Sequence, residues 1–174
     1  MPFKRLYAVT IYNEPAGQNA SVIGITRFAP TNPSPIMITW SSTFETGVKS
    51  IDRDHASLIQ CLNELEQAIA AGKGSRKIPE TLATLEKYAR DHFLREELCM
   101  HKVACPMAAT NAAAHKSFLA QVAHARERCE SPNAGAFVAT EIHRRLCVWM
   151  TEHILQVDVV GLRSCRRSAL ADLK

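Results

Sequence analysis

The sequence PETLATLEKYARDHFLREELC, at residues 79–99, decides the fold. Its core-type positions recur every three or four residues and are Leu82, Leu85, Ala89, His92, Glu96 and Cys99. This spacing predicts an amphipathic helix, and Pro79 is well suited to its first turn. Because His92 and Glu96 continue the apolar stripe, we expect the helix to turn a histidine and a carboxylate toward the core.

Three further segments have the same helical spacing. The first extends from about Ser50 or Asp52 to Ala71 and ends at the glycine-containing turn 72–74, the second follows Pro106, and the third ends near Asp158. Their stripes are Leu58, Leu62, Leu65 and Ile69, then Asn111, His115, Phe118, Val122, Ala125 and Cys129, then Ile142, Leu146, Trp149 and His153. Short loops between four amphipathic helices predict an all-α fold, an antiparallel up-down-up-down four-helix bundle.

The chain outside the predicted bundle has a different character. Residues 1–36 contain five prolines and no helical periodicity, so we interpret them as an irregular extension. A short strand at about 21–28 is the competing interpretation, and Met37 is an alternative start of translation. We assign residues 37–160 to the bundle and residues 161–174 to a basic C-terminal tail.

Composition limits the partners and the location that we expect. The formal net charge of +4 is mild, and no aromatic or glycine-rich nucleic-acid motif accompanies the basic residues. No apolar run approaches the ~18 residues that a membrane span needs. The six cysteines form no CxxC pair, which favours reduced thiols. We therefore expect a cytoplasmic protein with neither a nucleic-acid nor a membrane partner.

Four histidines, one from each helix, are predicted at one level of the core. They are His55, His92, His115 and His153, and Glu96 shares the helical face of His92. A single histidine on an apolar stripe is more often a hydrogen-bonded core residue. Four together with a carboxylate favour a metal site, because uncompensated buried charge costs several kcal/mol. This ligand chemistry suits iron or manganese, and zinc less specifically.

Other polar residues are less directly placed. Asp158 follows His153 by five residues, which is about 140° around an ideal helix, so it reaches the core only from a bulged or frayed helix end. The alternative for Asp158 is a solvated carboxylate at the helix terminus. Glu97 lies off the stripe and is predicted at the surface. Three further histidines are not positioned to act as ligands, namely His101, His124 and His143.

At these residues the chain resembles the hemerythrin family, specifically its bacterial single-domain or sensor-linked members. The similarity covers about residues 37–160 in the family's order and spacing. The matching stretches are Trp40, GVKSIDRDH at 47–55, YARDHFLREE at 88–97, Pro106, HKSF at 115–118 and WMTEHILQVD at 149–158.

The resemblance implies a non-haem di-iron site that reversibly binds molecular oxygen or a similar diatomic ligand. It implies that His55 and His92 hold the iron with the open position, and that His115 and His153 hold the other. Glu96 and Asp158 would bridge the two irons; it is the resemblance, not the spacing, that makes Asp158 a ligand. Phe93 and Trp149 would exclude water, ordinary core packing being the alternative.

One position departs from the family pattern. Asn111 stands four residues before His115, where the family has a further histidine, and an amide is a poorer donor to iron than imidazole. The site then holds two irons, a single or labile metal (a single one at His55, His92 and a carboxylate), or none. Three functions remain open: an oxygen-binding, storage or sensing protein without turnover; an oxidoreductase acting on oxygen, peroxide or nitric oxide; and a metal-poor signalling bundle.

Overall fold

The computed structural model describes residues 35–131, 135–163 and 165. It contains four long helices: α1 (Lys49–Ala70), α2 (Gly74–Lys102), α3 (Ala108–Glu130) and α4 (Ala136–His153). A 3₁₀ turn (Ser42–Phe44) precedes α1, and a π-helical turn (Ile154–Asp158) follows α4. No β-strand occurs among the described residues, which confirms the all-α prediction. The predicted strand at 21–28 and nearly all of the extension lie outside the described residues.

The four helices pack as a bundle. Each contacts the next one in the chain, and α1 also packs against α4 and so closes the ring. The connections are short, at 71–73, 103–107 and 131–135, so successive helices run in opposite directions. None of the helices in the described part of the chain is long and apolar enough to cross a lipid bilayer.

The predicted apolar stripes face the core of the bundle. Leu62, Leu65, Leu82, Leu85 and Val122 have no exposed surface at all. Burying a leucine-sized side chain stabilises a fold by roughly 1.5–3 kcal/mol, so these positions carry much of the stability of the bundle. The bundle that the sequence predicts is confirmed, and its core lies between the stripes.

The turn between α1 and α2 ends the first helix where the sequence predicts. Gly72 has a φ of 70°, a left-handed conformation that glycine adopts without strain. Its N–H donates to the carbonyl of Ile69 at 2.9 Å, and the N–H of Lys73 donates to the carbonyl of Ala68 at 2.7 Å. These two bonds form a Schellman motif, which satisfies carbonyl groups at the end of α1.

The second helix begins earlier than predicted. It starts at Gly74, so Pro79 lies inside the helix rather than in its first turn. Proline cannot donate to the carbonyl four residues before it, but that residue is Ser75, which is exposed to solvent. Gly74 itself is buried, and a Cβ there would lie 2.7 Å from Ile69 Cγ1, so its lack of a side chain permits the close approach.

The chain stays helical beyond the predicted end of the fourth helix. Residues 159–163 are helical, and Leu162 and Cys165 are buried, so packed chain continues past Gly161. A Cβ at Gly161 would lie 3.1 Å from Met100 Cε, which shows how closely this segment packs. Cys165 forms a disulfide with Cys105, so the expectation of reduced thiols is wrong for this pair.

Candidate metal centre

All six predicted ligands meet inside one end of the bundle. The helix α1 contributes His55, α2 contributes His92 and Glu96, and α3 contributes His115. His153 is the last residue of α4, and Asp158 is the last residue of the π turn. Every one of these side chains is buried, with at most 6% of its surface exposed. The structure therefore brings together the residues that the sequence and the family resemblance single out.

The ligands divide into two groups that share one carboxylate. His55, His92 and Glu96 offer atoms that all lie within 4.8 Å of one another. Glu96, His115, His153 and Asp158 form a second such group. We call the first group the α1/α2 half and the second group the α3/α4 half of the centre.

Glu96 lies between the two halves. Its Oε1 is 3.4 Å from Nε2 of His55, and its Oε2 is 3.2 Å from Nε2 of His115. The same Oε2 is 3.7 Å from Nε2 of His92. One carboxylate thus presents an oxygen to each half, which is the arrangement of a group that bridges two ions.

Asp158 spans the halves in the same way because of the π turn that carries it. A π turn places residues five apart on the same side of the helix, and such turns are frequent at functional sites. Asp158 Oδ1 lies 3.2 Å from Nε2 of His153, and its Oδ2 lies 3.3 Å from Nε2 of His55. The π turn is the bulged helix end that an inward-facing Asp158 requires.

Several of these buried atoms have no hydrogen-bond partner among the described residues. They are both ring nitrogens of His55, both oxygens of Glu96 and both oxygens of Asp158. A buried polar group without a partner costs roughly 1–3 kcal/mol, and more when it is charged. Ligand atoms bound to one ion at about 2.0–2.2 Å lie about 3 Å apart, close to the separations seen in this cluster. The imidazole and carboxylate donors therefore fit a metal.

The charges in the cluster also favour a cation. Burial lowers the pKa of His55, but the carboxylates of Asp158 and Glu96 more than offset this and raise it to about 9. Burial raises the pKa of Glu96, yet His115 and His55 hold it well below its usual range. The pKa of His92 is lowered, chiefly by burial. Without a metal, the two carboxylates hold a proton on His55. A bound metal ion would supply the positive charge in place of that proton.

Two carboxylates outside the ligand set lie beside the outer nitrogens of two histidines, and one of them is hydrogen-bonded there. The ring nitrogen Nδ1 of His115 is hydrogen-bonded to Oε1 of Glu97 at 2.9 Å. Because a carboxylate only accepts, Nδ1 carries the proton, and in the neutral ring Nε2 keeps a lone pair that faces the centre. Asp54 Oδ2 lies 3.5 Å from Nδ1 of His92 and accepts two hydrogen bonds from Arg95, at 3.0 and 2.7 Å.

The role of Glu97 corrects the sequence interpretation, which assigned it to the surface alone. Its side chain is 40% exposed but reaches from α2 to a histidine on α3. The sequence analysis also missed Asp54. Both carboxylates directly adjoin a proposed ligand, Glu97 after Glu96 and Asp54 before His55, and this adjacency is the signal that could have identified them.

Aromatic rings cover the α3/α4 half. Phe93 stacks on the ring of His115 with centroids 3.7 Å apart and planes 8° apart. Trp149 stacks on His153 with centroids 4.4 Å apart and planes 15° apart. These contacts fix the orientation of both imidazoles and place apolar surface beside them.

The remaining polar positions lie where the sequence analysis placed them. His101 and His124 are exposed. His143 is buried away from the centre, with Nε2 bonded at 3.1 Å to the carbonyl oxygen of Leu62. Asn111 is fully buried, and neither atom of its amide has a hydrogen-bond partner among the described residues.

Comparison with known proteins points to a cation-binding family. Residues 46–160 match the family model described as the hemerythrin HHE cation binding domain. The chain is 28% identical over 131 residues to a bacteriohemerythrin of Pseudomonas aeruginosa, covering 75% of this chain and 83% of that protein. It is 26% identical over 126 residues to a bacteriohemerythrin of Clostridium acetobutylicum, covering 70% of this chain and 96% of that protein. All six proposed ligands lie within the matched range.

Proposed function

The chain belongs to the hemerythrin family, and from that premise we propose that it holds two iron ions and binds molecular oxygen or a similar diatomic ligand. Iron is the metal of this family, and the residues that would hold it are His55, His92, His115, His153, Glu96 and Asp158. Bound iron supplies a redox-active site for the diatomic ligand. The proposed role is binding, storage or sensing rather than turnover.

One observation carries this proposal, namely that each buried carboxylate presents one oxygen to each half of the centre. Glu96 does so toward His55 and His115, and Asp158 does so toward His55 and His153. Two carboxylates arranged in this way suit two ions better than one. A single ion would need only one oxygen from each carboxylate.

The surrounding side chains suit a binding protein. Phe93 and Trp149 cover the imidazoles of the α3/α4 half and limit the access of water. Glu97 holds the proton of His115 on the nitrogen that faces away from the centre. Glu97 thus leaves the inward nitrogen of His115 available to a metal, and the two aromatic rings shield the site. Both effects favour a stable bound state.

Anaerobic reconstitution with ferrous iron, followed by exposure to oxygen, tests the proposal. We expect about two irons per chain and a visible absorption band that appears with oxygen and disappears when oxygen is removed. Irreversible bleaching would exclude reversible binding, and a chain that takes up no iron would exclude the metal centre itself.

The unpartnered amide of Asn111 favours a second candidate function, an oxidoreductase acting on oxygen, peroxide or nitric oxide. An open coordination position in each half would suit turnover better than storage. Steady consumption of one of these substrates by the iron-loaded protein would support this candidate. In that case Asn111→His should reduce turnover and strengthen the binding of oxygen.

A further inference from the structure

We propose that Asn111 creates a second ligand position, in the α3/α4 half of the centre, for a small anion that accepts a hydrogen bond from the amide Nδ2. The inference rests on the proposed function, since the other end of the anion would bind the metal held by His115 and His153. It adds a binding position and a residue that determines which ligands enter it.

Asn111 has no exposed surface, and both Oδ1 and Nδ2 are without a hydrogen-bond partner among the described residues. Buried amides in folded proteins are nearly always hydrogen-bonded, because leaving them unpaired is unfavourable. The amide therefore has its full hydrogen-bonding capacity available for a ligand.

Asn63 provides a comparison within the same chain. Its amide Nδ2 donates to the carbonyl oxygen of Ile38, and its Oδ1 accepts from the N–H of Ile38, both at 2.9 Å. This asparagine is fully paired and ties the segment before α1 to the bundle. Asn63 thus pairs both amide atoms with the backbone, whereas the amide of Asn111 pairs neither among the described residues.

The position of Asn111 directs it toward the α3/α4 half. It precedes His115 by four residues on α3, so the two side chains share one face of the helix. Both are buried. Nε2 of His115 lies 3.1 Å from Nε2 of His153 and 3.2 Å from Oε2 of Glu96, so a metal held by these groups would lie on the helix face that Asn111 shares with His115.

The donors of the α3/α4 half leave coordination positions open. His115 and His153 are the imidazoles of this half, and Glu96 and Asp158 are its carboxylates. Centres with two histidines and carboxylate ligands keep open positions for exogenous ligands, as the two-histidine, one-carboxylate sites of non-haem iron enzymes do. Each half then has two histidines, so each can accept one ligand.

The chemistry of the amide selects the kind of ligand. Nδ2 is a donor, so the ligand atom facing it must accept a hydrogen bond. A metal cation on the other side favours negative charge, and the enclosed site favours few atoms. Azide meets all three conditions and changes the visible spectrum of ferric centres, so it is the probe we would use.

The experiment counts azide ions bound per iron-loaded chain, by optical titration and by calorimetry, after the iron content of each sample has been measured. We expect two azide ions in the natural protein and one in Asn111→His, whose imidazole fills the position. Asn111→Ala should still bind two, with the second about 10-fold weaker because the hydrogen bond to a charged ligand is lost. Asn63→Ala is the matched control, and it should leave both the count and the affinities unchanged.

Two results would overturn the inference while leaving the proposed function intact: one azide ion in the natural protein with two irons bound, or two in Asn111→His. A third such result is one iron in the natural protein and two in the Asn111→His variant. It would mean that the amide at position 111 prevents the α3/α4 half from holding its metal. Absence of iron from every sample would refute the proposed function as well, so iron content distinguishes the two failures. If Asn111→His does not fold, the comparison of Asn111→Ala with Asn63→Ala decides, since equal azide affinities in these two would overturn the inference.

Discussion

Among the described residues, histidine and carboxylate side chains are buried in two places, the candidate metal centre and a cluster around His143. His143 lies ten residues before His153 on α4, about 15 Å along the helix axis. Its Nε2 is 3.1 Å from the carbonyl oxygen of Leu62, and its Nδ1 is 2.9 Å from Oε2 of Glu66. Cys147 Sγ lies 3.2 Å from the same Nε2. Here one nitrogen of a buried histidine is hydrogen-bonded within the protein, at Leu62, and a carboxylate lies beside the other nitrogen.

The two places differ in their balance of charge. Burial lowers the pKa of His143 to about 4, so that ring is neutral at pH 7. The carboxylates of Asp158 and Glu96 instead raise the pKa of His55 to about 9. In the metal centre both oxygens of each carboxylate are without a hydrogen-bond partner among the described residues, whereas Nε2 of His143 is bonded to the carbonyl oxygen of Leu62. Burial of a histidine therefore does not mark a metal site; a surplus of unpartnered carboxylate beside it does.

The largest expected effect on metal affinity comes from removing the negative charge of Glu96. Glu96→Gln keeps the size of the side chain but weakens an oxygen donor that both halves share, so we expect metal affinity to fall by more than ~100-fold, beyond the loss typical of outer-shell changes. Iron content and competition with a chelator measure the effect. The matched change in the other cluster is Glu66→Gln, which should leave iron content unaltered. Full iron retention in Glu96→Gln would show that the carboxylate is structural.

A second test uses pH. In the metal-free protein His55 has a folded pKa of about 9, above its ordinary value of 6.5, so metal must displace a proton from it below pH 9. Metal affinity should therefore rise about tenfold for each pH unit between about 7 and 9. The same linkage gives the metal-free protein stability that is fully present below pH 6.5 and lost as the pH rises through 9.

Metal affinity measured by chelator competition across this range checks the expectation, with urea unfolding of the metal-free protein as a parallel measurement. A flat affinity profile from pH 7 to 9 would mean that His55 does not bind the metal. Metal at 1,000 times its dissociation constant should also raise the unfolding free energy by about 4 kcal/mol, an increase that a chelator abolishes.

A smaller effect separates the outer carboxylates of the two halves. Glu97→Gln removes the charged acceptor of the His115 N–H, and a change of this kind typically costs 10- to 100-fold in metal affinity. We expect about 10-fold, because Glu97 is partly exposed. Asp54→Asn should cost less, since Asp54 lies 3.5 Å from His92 and is also held by Arg95. A larger loss of metal affinity in Asp54→Asn than in Glu97→Gln would reverse this order. The α1/α2 half would then be the one that depends more on its outer carboxylate.

Most of the fold and the histidines of the site followed from helical spacing, because His55, His92, His115 and His153 lie on stripes that must face the core. Asp158 could not be placed in the same way. Its position depends on a π turn, and a pattern that assumes an ideal helix assigns it to another face. The family resemblance supplied what the spacing alone did not.

Contacts between helices were the part that the sequence did not predict. Glu97 and Asp54 lie off the stripes, and their contacts with His115 and His92 depend on how far apart the helices pack. The bond between Cys105 and Cys165 joins residues 60 positions apart and has no spacing motif. Such contacts are set by the packing of the whole bundle, which periodicity along one segment does not contain.

The smallest expected effect on metal affinity comes from His143, the buried histidine outside the centre. His143→Gln should change iron affinity by less than about twofold, because the cluster shares no ligand with the centre. Its effect should instead appear in acid. His143 has a folded pKa of about 4, below its ordinary 6.5, so the stability it contributes is present above pH 6.5 and is lost as the pH falls toward 4.

Glutamine does not titrate, so the metal-free His143→Gln variant should lose less stability between pH 7 and pH 4 than the natural chain, by on the order of 3 kcal/mol. Urea unfolding at the two pH values measures this difference, and the carboxylates common to both proteins cancel in the comparison. If the variant instead loses iron and responds to acid as the natural chain does, the two polar clusters act as one functional unit. The contrast between His143, which is hydrogen-bonded within the protein, and the metal ligands would then no longer hold.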